Sequence, residues 1–493
     1  MGDINENLLS EVDAGEEVID SDDKVSLKDK VWIEMKKMWI VAGPAMFTRL
    51  STFGLNVITQ AFVGQIGSTE LAAYAYVYTV IVRLANGVQL GMASALGTLC
   101  GQAYGAKKYH LLGVYLQRSW IVLFFTSICL LPLFIFTTQI LKVLGQSENI
   151  ADIGGEVGDW FIGVLFAFSI SFTCQFYLQS QSKNMIITYL AALSIVIHVL
   201  LSWLLTVKYK FGVPGAMLST LVAFWIPNIG QLLFVMCGGC RETWKGFSPL
   251  AFKDLWPVIT LSLSSGVMLC LELWYYTALV LITGYLKNAE VAIDALTICL
   301  NINGCEMMIA LGFMAGASVR VANELGRGSS KAAKFSIVVT VLVSISIGFV
   351  LFLCFLFLRG RVAYIFTQNE EVVEAVANLS PLLAVSILLN SIQPVLSGVA
   401  VGAGWQNIVA YVNITCYYIV GIPVGLVLGY VFDMEVKGVW MGMLFGTFVQ
   451  TIVLAVITYK TNWDEQVNVA RNRIQIWTVE DAQEPNLTTS DVS

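Results

Sequence analysis

Residues 87–119, GVQLGMASALGTLCGQAYGAKKYHLLGVYLQRS, decide the fold of this chain. They open as an apolar helix dense in small residues, pass a basic loop at Lys107 and Lys108, and lead into a second apolar helix. A weaker copy stands at Leu311–Arg327, LGFMAGASVRVANELGR, and laying Gly91 on Gly312 also lays Gly105 on Gly326. The chain reads as doubled. Two more echoes run in the same order, Phe62-Val63-Gly64 against Ile282-Thr283-Gly284 and Gly215-Ala216 against Gly438-Val439.

The surroundings of that stretch place it in a membrane. Of 493 residues, 57% are hydrophobic and only 13% charged, too few to solvate the surface of a water-soluble protein of this size. Twelve apolar stretches approach or exceed the roughly 20 residues that a spanning helix needs, at 38–63, 70–99, 114–139, 155–178, 184–206, 211–237, 255–284, 291–319, 333–358, 372–397, 406–430 and 437–459. Runs of this length are not the short alternating strands of a membrane barrel. The expected fold is an all-α integral membrane protein of twelve transmembrane helices.

The longest polar break, 238–254, follows the sixth stretch and divides the chain six plus six. An even number of helices per copy gives both copies the same polarity, so the two six-helix lobes are parallel repeats about an axis along the membrane normal. The expected organisation is a disordered acidic tail over 1–37, a first lobe over 38–238, a linker over 239–254, a second lobe over 255–459 and a tail over 460–493. Lys and Arg number 18 on the side of both termini and seven on the other, which predicts cytosolic termini. Arg49, Arg83 and Arg118 fall inside or at the edge of spans and need their own explanation.

Several function classes drop out. With 28 basic against 34 acidic side chains there is no basic surplus to hold nucleic acid. No GxxxxGK[ST] loop is present to cradle ATP, so the driving energy must be an ion gradient or a potential. Ten scattered cysteines, among them Cys237-Gly-Gly-Cys240, and two histidines do not make a zinc site, and no nucleophile set supports an enzyme. The chemistry expected needs no cofactor beyond a coupling proton, and the partners expected are the bilayer and a small organic solute or anion, handled by a single chain.

Ionisable groups deep in a span are costly and therefore informative. Glu272 lies near the middle of the seventh stretch, with Tyr275 and Tyr276 on its face and in reach to hydrogen-bond it. Glu306 is near the middle of the eighth, with Asn303 one turn earlier, and Asp294 stands near that helix's start, where a carboxylate also suits the helix dipole. These three are the candidate proton-coupling residues, or else fixed carboxyls joining helices. The first lobe is cationic instead: Arg49 shares a face with Thr52 and Asn56, and Arg83 neighbours Asn86, while Ala85 takes the position of Glu306. An arginine there pairs with an acid of the opposite lobe or meets an anionic solute. His198, alone on the apolar fifth helix, is either a proton relay or a satisfied buried group.

The stretch from Gly91, together with FVGQIG from Phe62, GFMAGASVRVANELGRG from Gly312 and SGVAVGAGWQ from Ser397, closely resembles plant members of the multidrug and toxic compound extrusion (MATE) family, across all twelve helices. Within it, FTRLSTFGLNVITQAFVGQIG, NGCEMMIALGF and LNSIQPVLSGVAVGAGWQ look like the subgroup of transparent-testa-type vacuolar flavonoid transporters. The resemblance implies two lobes around a V-shaped cavity that opens to one side at a time, with export driven by inward H+ or Na+. It implies that the acid of the CLE motif, here Cys270-Leu271-Glu272, binds the coupling proton together with an acid of the tenth helix. The second position falls on Asn390, which cannot titrate, so weight moves to Glu306; Asn390 and Gln393 would still line the cavity. The function expected is proton-coupled export of a flavonoid glycoside or similar phenolic across the vacuolar or plasma membrane, with a passive anion conductance through Arg49 and Arg83 as the alternative.

Overall fold

Apolar runs broken by short polar turns satisfy their backbones as helices, and no strand occurs among residues 26–283 and 289–481, which the computed structural model of the chain describes. The helices are α1 (Leu27–Ile66), α2 (Ser68–Gly105), α3 (Tyr109–Ile135), α4 (Glu148–Ser180), α5 (Met185–Lys208), α6 (Gly212–Gly239), α7 (Leu255–Thr283), α8 (Ala289–Arg327), α9 (Ser330–Leu358), α10 (Glu370–Ala403), α11 (Gln406–Val431), α12 (Glu435–Lys460) and α13 (Trp463–Asp481). Eleven of these are long and apolar enough to cross a bilayer among the described residues. The twelfth expected span is α1, 40 residues long but interrupted by Thr48, Arg49, Ser51, Thr52 and Asn56, polar groups that lower its hydropathy without shortening it.

The ends of the chain differ from expectation. Residues 27–37 are the opening turns of α1 rather than tail, capped by the Ser26 hydroxyl, which accepts from the Asp29 amide. Beyond the last span, α13 lays Trp463, Val467 and Ala470 against second-lobe residues and Ile474 against the first-lobe core, an apolar row at helical spacing that ties down what composition reads as a polar tail. Residues 1–25 and 482–493 lie outside the described residues.

The linker after α6 is also fixed. Arg118 on α3 donates from Nε and Nη2 to the Leu250 carbonyl at 3.2 and 2.9 Å, and Gln117 donates to the Gly246 carbonyl while accepting from the Ser248 amide. Trp120 packs against Trp244 and Phe247. Arg118 is thus a structural staple.

Two hydrophobic cores correspond to the two lobes, one drawn almost wholly from residues 63–240 and one from 275–443. Between them the repeats meet with the symmetry the sequence predicts. A Cβ on Gly91 would strike the Gly266 and Ser265 backbone of α7, and one on Gly312 would strike Met46 and the Ala42 carbonyl of α1. Deeper toward the termini, a Cβ on Gly105 would overlap the Asn323 carbonyl, and one on Gly326 would overlap the Gln102 carbonyl. Each copy of the motif therefore packs its glycine on the matching residue of the other copy, and only a residue without a side chain admits that approach.

Candidate transport site

The buried acids of the second lobe lie further from the termini than the paired glycines, Glu272 beside Leu273, which packs at Gly87, and Glu306 two residues after Gly304, which meets Phe53. In the second lobe α10 breaks at Ser391–Ile392, ahead of Pro394, and the break turns Asn390 and Gln393 inward. Asn390 Nδ2 donates to Glu306 Oε2 at 3.1 Å and to Asn303 Oδ1 at 3.0 Å, and the Ser386 hydroxyl donates to the same Asn303 oxygen at 3.0 Å. Tyr276 donates to Asn390 Oδ1 at 3.4 Å. A small cavity opens beside this cluster, lined among others by Tyr275, Tyr276, Asn303, Ser386, Asn390 and Thr447, with room for about one water molecule.

Glu272 is 4% exposed, its polar neighbour is Gln393, and its Oε2 has no hydrogen-bond partner; neither has Gln393 Oε1. Gln393 spends its amide on the Ser397 hydroxyl. Of the two tyrosines expected beside Glu272, Tyr276 turns to Asn390. Tyr275 is buried in a stack on Tyr417, centroids 4.2 Å apart, and donates to the Met443 carbonyl at 2.7 Å rather than to Glu272, while still lining the small cavity. The Asp294 side chain lies outside the described residues.

The first lobe holds a different set. Arg49 sits with its guanidinium carbon 5.6 Å from the Phe172 ring centre, and Arg83 is exposed. Among the described residues neither has a carboxylate partner, so the first of the two readings of these arginines, a pair with an acid of the opposite lobe, is not realised. Thr52 bonds back within its own helix, donating to the Thr48 carbonyl, Asn56 accepts from Tyr74 at 2.9 Å, and Asn86 is half-buried. His198 is fully buried in a knot of hydroxyls, its Nε2 3.1 Å from Thr59, which in turn meets Thr220. That is the satisfied-group arrangement.

At the terminus side the structure adds a cluster that the sequence alone did not single out. Arg320 on α8 donates to both carboxylate oxygens of Glu34 on α1 at 2.8 and 3.0 Å and to Glu324 at 2.5 Å, all three side chains nearly buried. Burial pushes the Glu34 carboxyl up, but the charge of Arg320 outweighs it and holds the group below its ordinary value. Beside it, Thr98 donates to the Val401 carbonyl at 2.6 Å, Gln102 to the Gly402 carbonyl at 3.0 Å, and Arg473 of α13 to Gln102 Oε1 at 2.8 Å. Arg473 lies over Gly404, a left-handed residue with φ +84° that no side chain would leave open to it.

Known proteins agree with this arrangement. The MatE family model matches residues 44–204 and again 265–427, once per lobe. Protein DETOXIFICATION 21 of Arabidopsis thaliana is 63% identical over 469 residues, covering 95% of each chain, and Protein DETOXIFICATION 20 of the same plant is 60% identical over 490 residues, covering 99% of each. The crystal structure of the eukaryotic MATE transporter AtDTX14 superposes with a TM-score of 0.84 at 33% identity, over 90% of this chain and 99% of that one. An outward-facing multidrug resistance MATE transporter of the MOP superfamily matches at a TM-score of 0.77 and 15% identity, covering 89% of this chain and 97% of that one, a likeness of fold alone. Two copies of the family pattern, relatives alike from end to end and a shared architecture make one conclusion: the chain is a multi-pass membrane transporter of the MATE family.

Proposed function

We propose that this chain is a proton antiporter that exports an organic solute, a flavonoid glycoside or related phenolic, from the cytosol into the vacuole, working as a single chain with both termini cytosolic. The observation that carries the reading is the pair of buried acids in one lobe. Glu272 Oε2 and Gln393 Oε1 are two acceptors without a donor, an arrangement that a proton on Glu272 completes. Glu306 is reached through Asn390, so the amide that replaces the family's second acid serves as a bridge between Tyr276 and the acid on α8. In the proposed cycle the deprotonated carrier takes solute from the cytosol, the lobes rock, and luminal protons entering at Glu272 weaken binding and reset it. The phenolic solute rests on the subgroup resemblance.

In proteoliposomes, Glu272→Gln is expected to abolish pH-driven uptake while solute exchange at zero gradient persists. Full pH-driven uptake by that variant would overturn the reading. Glu306→Gln should weaken coupling in the same direction. The unpaired arginines favour a second reading, a passive anion conductance. Currents that follow the chloride reversal potential without a proton gradient would select it.

A further inference from the structure

The two arginines of the first lobe stand on the helix faces that turn to the second lobe, and the register of the helices fixes this. α1 runs antiparallel to α8: Glu34 pairs with Arg320, Met38 and Ala42 lie against Gly316, Met46 against Gly312, and Phe53 against Gly304. Arg49 stands three residues after Met46 and four before Phe53, hence on the same face, between two levels at which α1 meets α8. α2 runs likewise along α7, with Gly91 on Gly266 and Gly87 on Leu273; Arg83 is one turn further on that face and is exposed. Both positions therefore lie on helix faces turned to the second lobe, Arg83 exposed and the Arg49 guanidinium resting by Phe172 of α4.

No carboxylate among the described residues answers their charge. No N–H of Arg49 has a protein acceptor among the described residues, and Glu306 across the cleft is already held by Asn390. An unpaired cation at this depth is costly and calls for a partner. The partner's shape follows from the geometry. A guanidinium laid near an aromatic ring keeps its edge for two parallel hydrogen bonds, which match a planar carboxylate better than a spherical ion. Phe172, itself stacked on Phe168 with centroids 5.5 Å apart and buried in the first-lobe core, backs the guanidinium from behind.

We infer that Arg49 and Arg83 form an anion-recognition site on the cleft face of the first lobe, and that the solute is an aromatic conjugate bearing a carboxylate. The inference rests on the antiporter reading and narrows its substrate. It also makes transport more strongly voltage-dependent, because exchanging a monoanion for a proton moves two charges where a neutral solute moves one.

The test compares 4-methylumbelliferyl glucuronide with the matching glucoside, which differ by a carboxylate in place of a hydroxymethyl group, in proteoliposomes with pH gradient and voltage set independently. Wild-type protein should take up the glucuronide about tenfold more efficiently, a 1.4 kcal/mol preference, and Arg49→Gln and Arg83→Gln should each bring the ratio toward one. Equal efficiency for the two conjugates overturns the inference and leaves the antiporter reading standing. If neither conjugate moves under a pH gradient, the antiporter reading fails, and equilibrium binding to the detergent-solubilised full chain decides the inference: preferential glucuronide binding supports it, equal binding overturns it. Chloride that displaces the glucuronide and itself carries an Arg49-dependent current identifies an inorganic anion and overturns the organic assignment. Should Arg49→Gln fail to fold, Arg49→Lys, which keeps the charge and loses the planar edge, is expected to retain only part of the preference.

Discussion

The same four helices, α1, α2, α7 and α8, form two very different interfaces along their length. Toward the chain termini they meet through glycines that touch backbone, a bidentate ion pair and hydrogen bonds from Thr98 and Gln102 to carbonyls of α10. Toward the opposite side Arg49 and Arg83 have no carboxylate partner among the described residues. Close packing and paired charge make a discrete, closed state at one end, and unmet charge at the other marks where a ligand and its counter-ion have work to do. An alternating-access carrier needs this asymmetry to be reversible, so the closed end must be tight without being permanent.

The largest expected break in that contrast comes from Gly105→Ala. Its methyl group would meet the Asn323 backbone, which has no flexible end to move aside, so closure should lose about 1–3 kcal/mol or more. Gly54→Ala, where a Cβ finds open space, should instead be neutral or stabilising by up to about 1 kcal/mol. Thermal unfolding of the two variants in the same detergent checks the opposed signs.

Glu34→Gln removes one of the two carboxylates, Glu34 and Glu324, that hold Arg320. Loss of one charged acceptor should cost the closed end about 1–3 kcal/mol. A cysteine placed at Asn323 in a cysteine-free background should then be labelled about tenfold faster, and the exchanged pair Glu34→Arg with Arg320→Glu should recover part of the protection. The pair's pH dependence has a definite sign. Because the Glu34 carboxyl is held below its reference value of 4.5, its contribution is complete above that pH and lost only as pH falls through the lowered value. Labelling at Asn323 should therefore stay flat across neutral pH and rise only in acid, and Glu34→Gln should remove the acid limb. The smallest effect is expected from Arg473→Ala, which deletes one hydrogen bond to Gln102, about 1 kcal/mol, and should barely change labelling.

Much of the spanning architecture and its doubling was legible because both depend on local signals, hydropathy over a window and small residues at fixed spacing. Glu272 and Glu306 were legible for a related reason: an acid in an apolar run stands out whatever surrounds it. The ion pair of Glu34 and Arg320 was not, because the partners lie 286 residues apart and each, taken locally, resembles a charge at a membrane edge. Tyr275 was misassigned to Glu272 since helical spacing gives a shared face but not a rotamer, and the carbonyl of Met443 competes for its hydroxyl. The helix at 463–481 did carry a readable signal, Trp463, Val467, Ala470 and Ile474 at 3.6-residue period, hidden by its low average hydropathy.

The staple on the linker bears on how far the molecule can move. Arg118 fastens Leu250 to the first lobe, and the second lobe begins at Leu255, five residues on. Fully extended, that stretch reaches about 18 Å. It is a leash: the start of α7 can swing within that radius of α3, and any rocking of one lobe against the other must pivot inside the arc it allows.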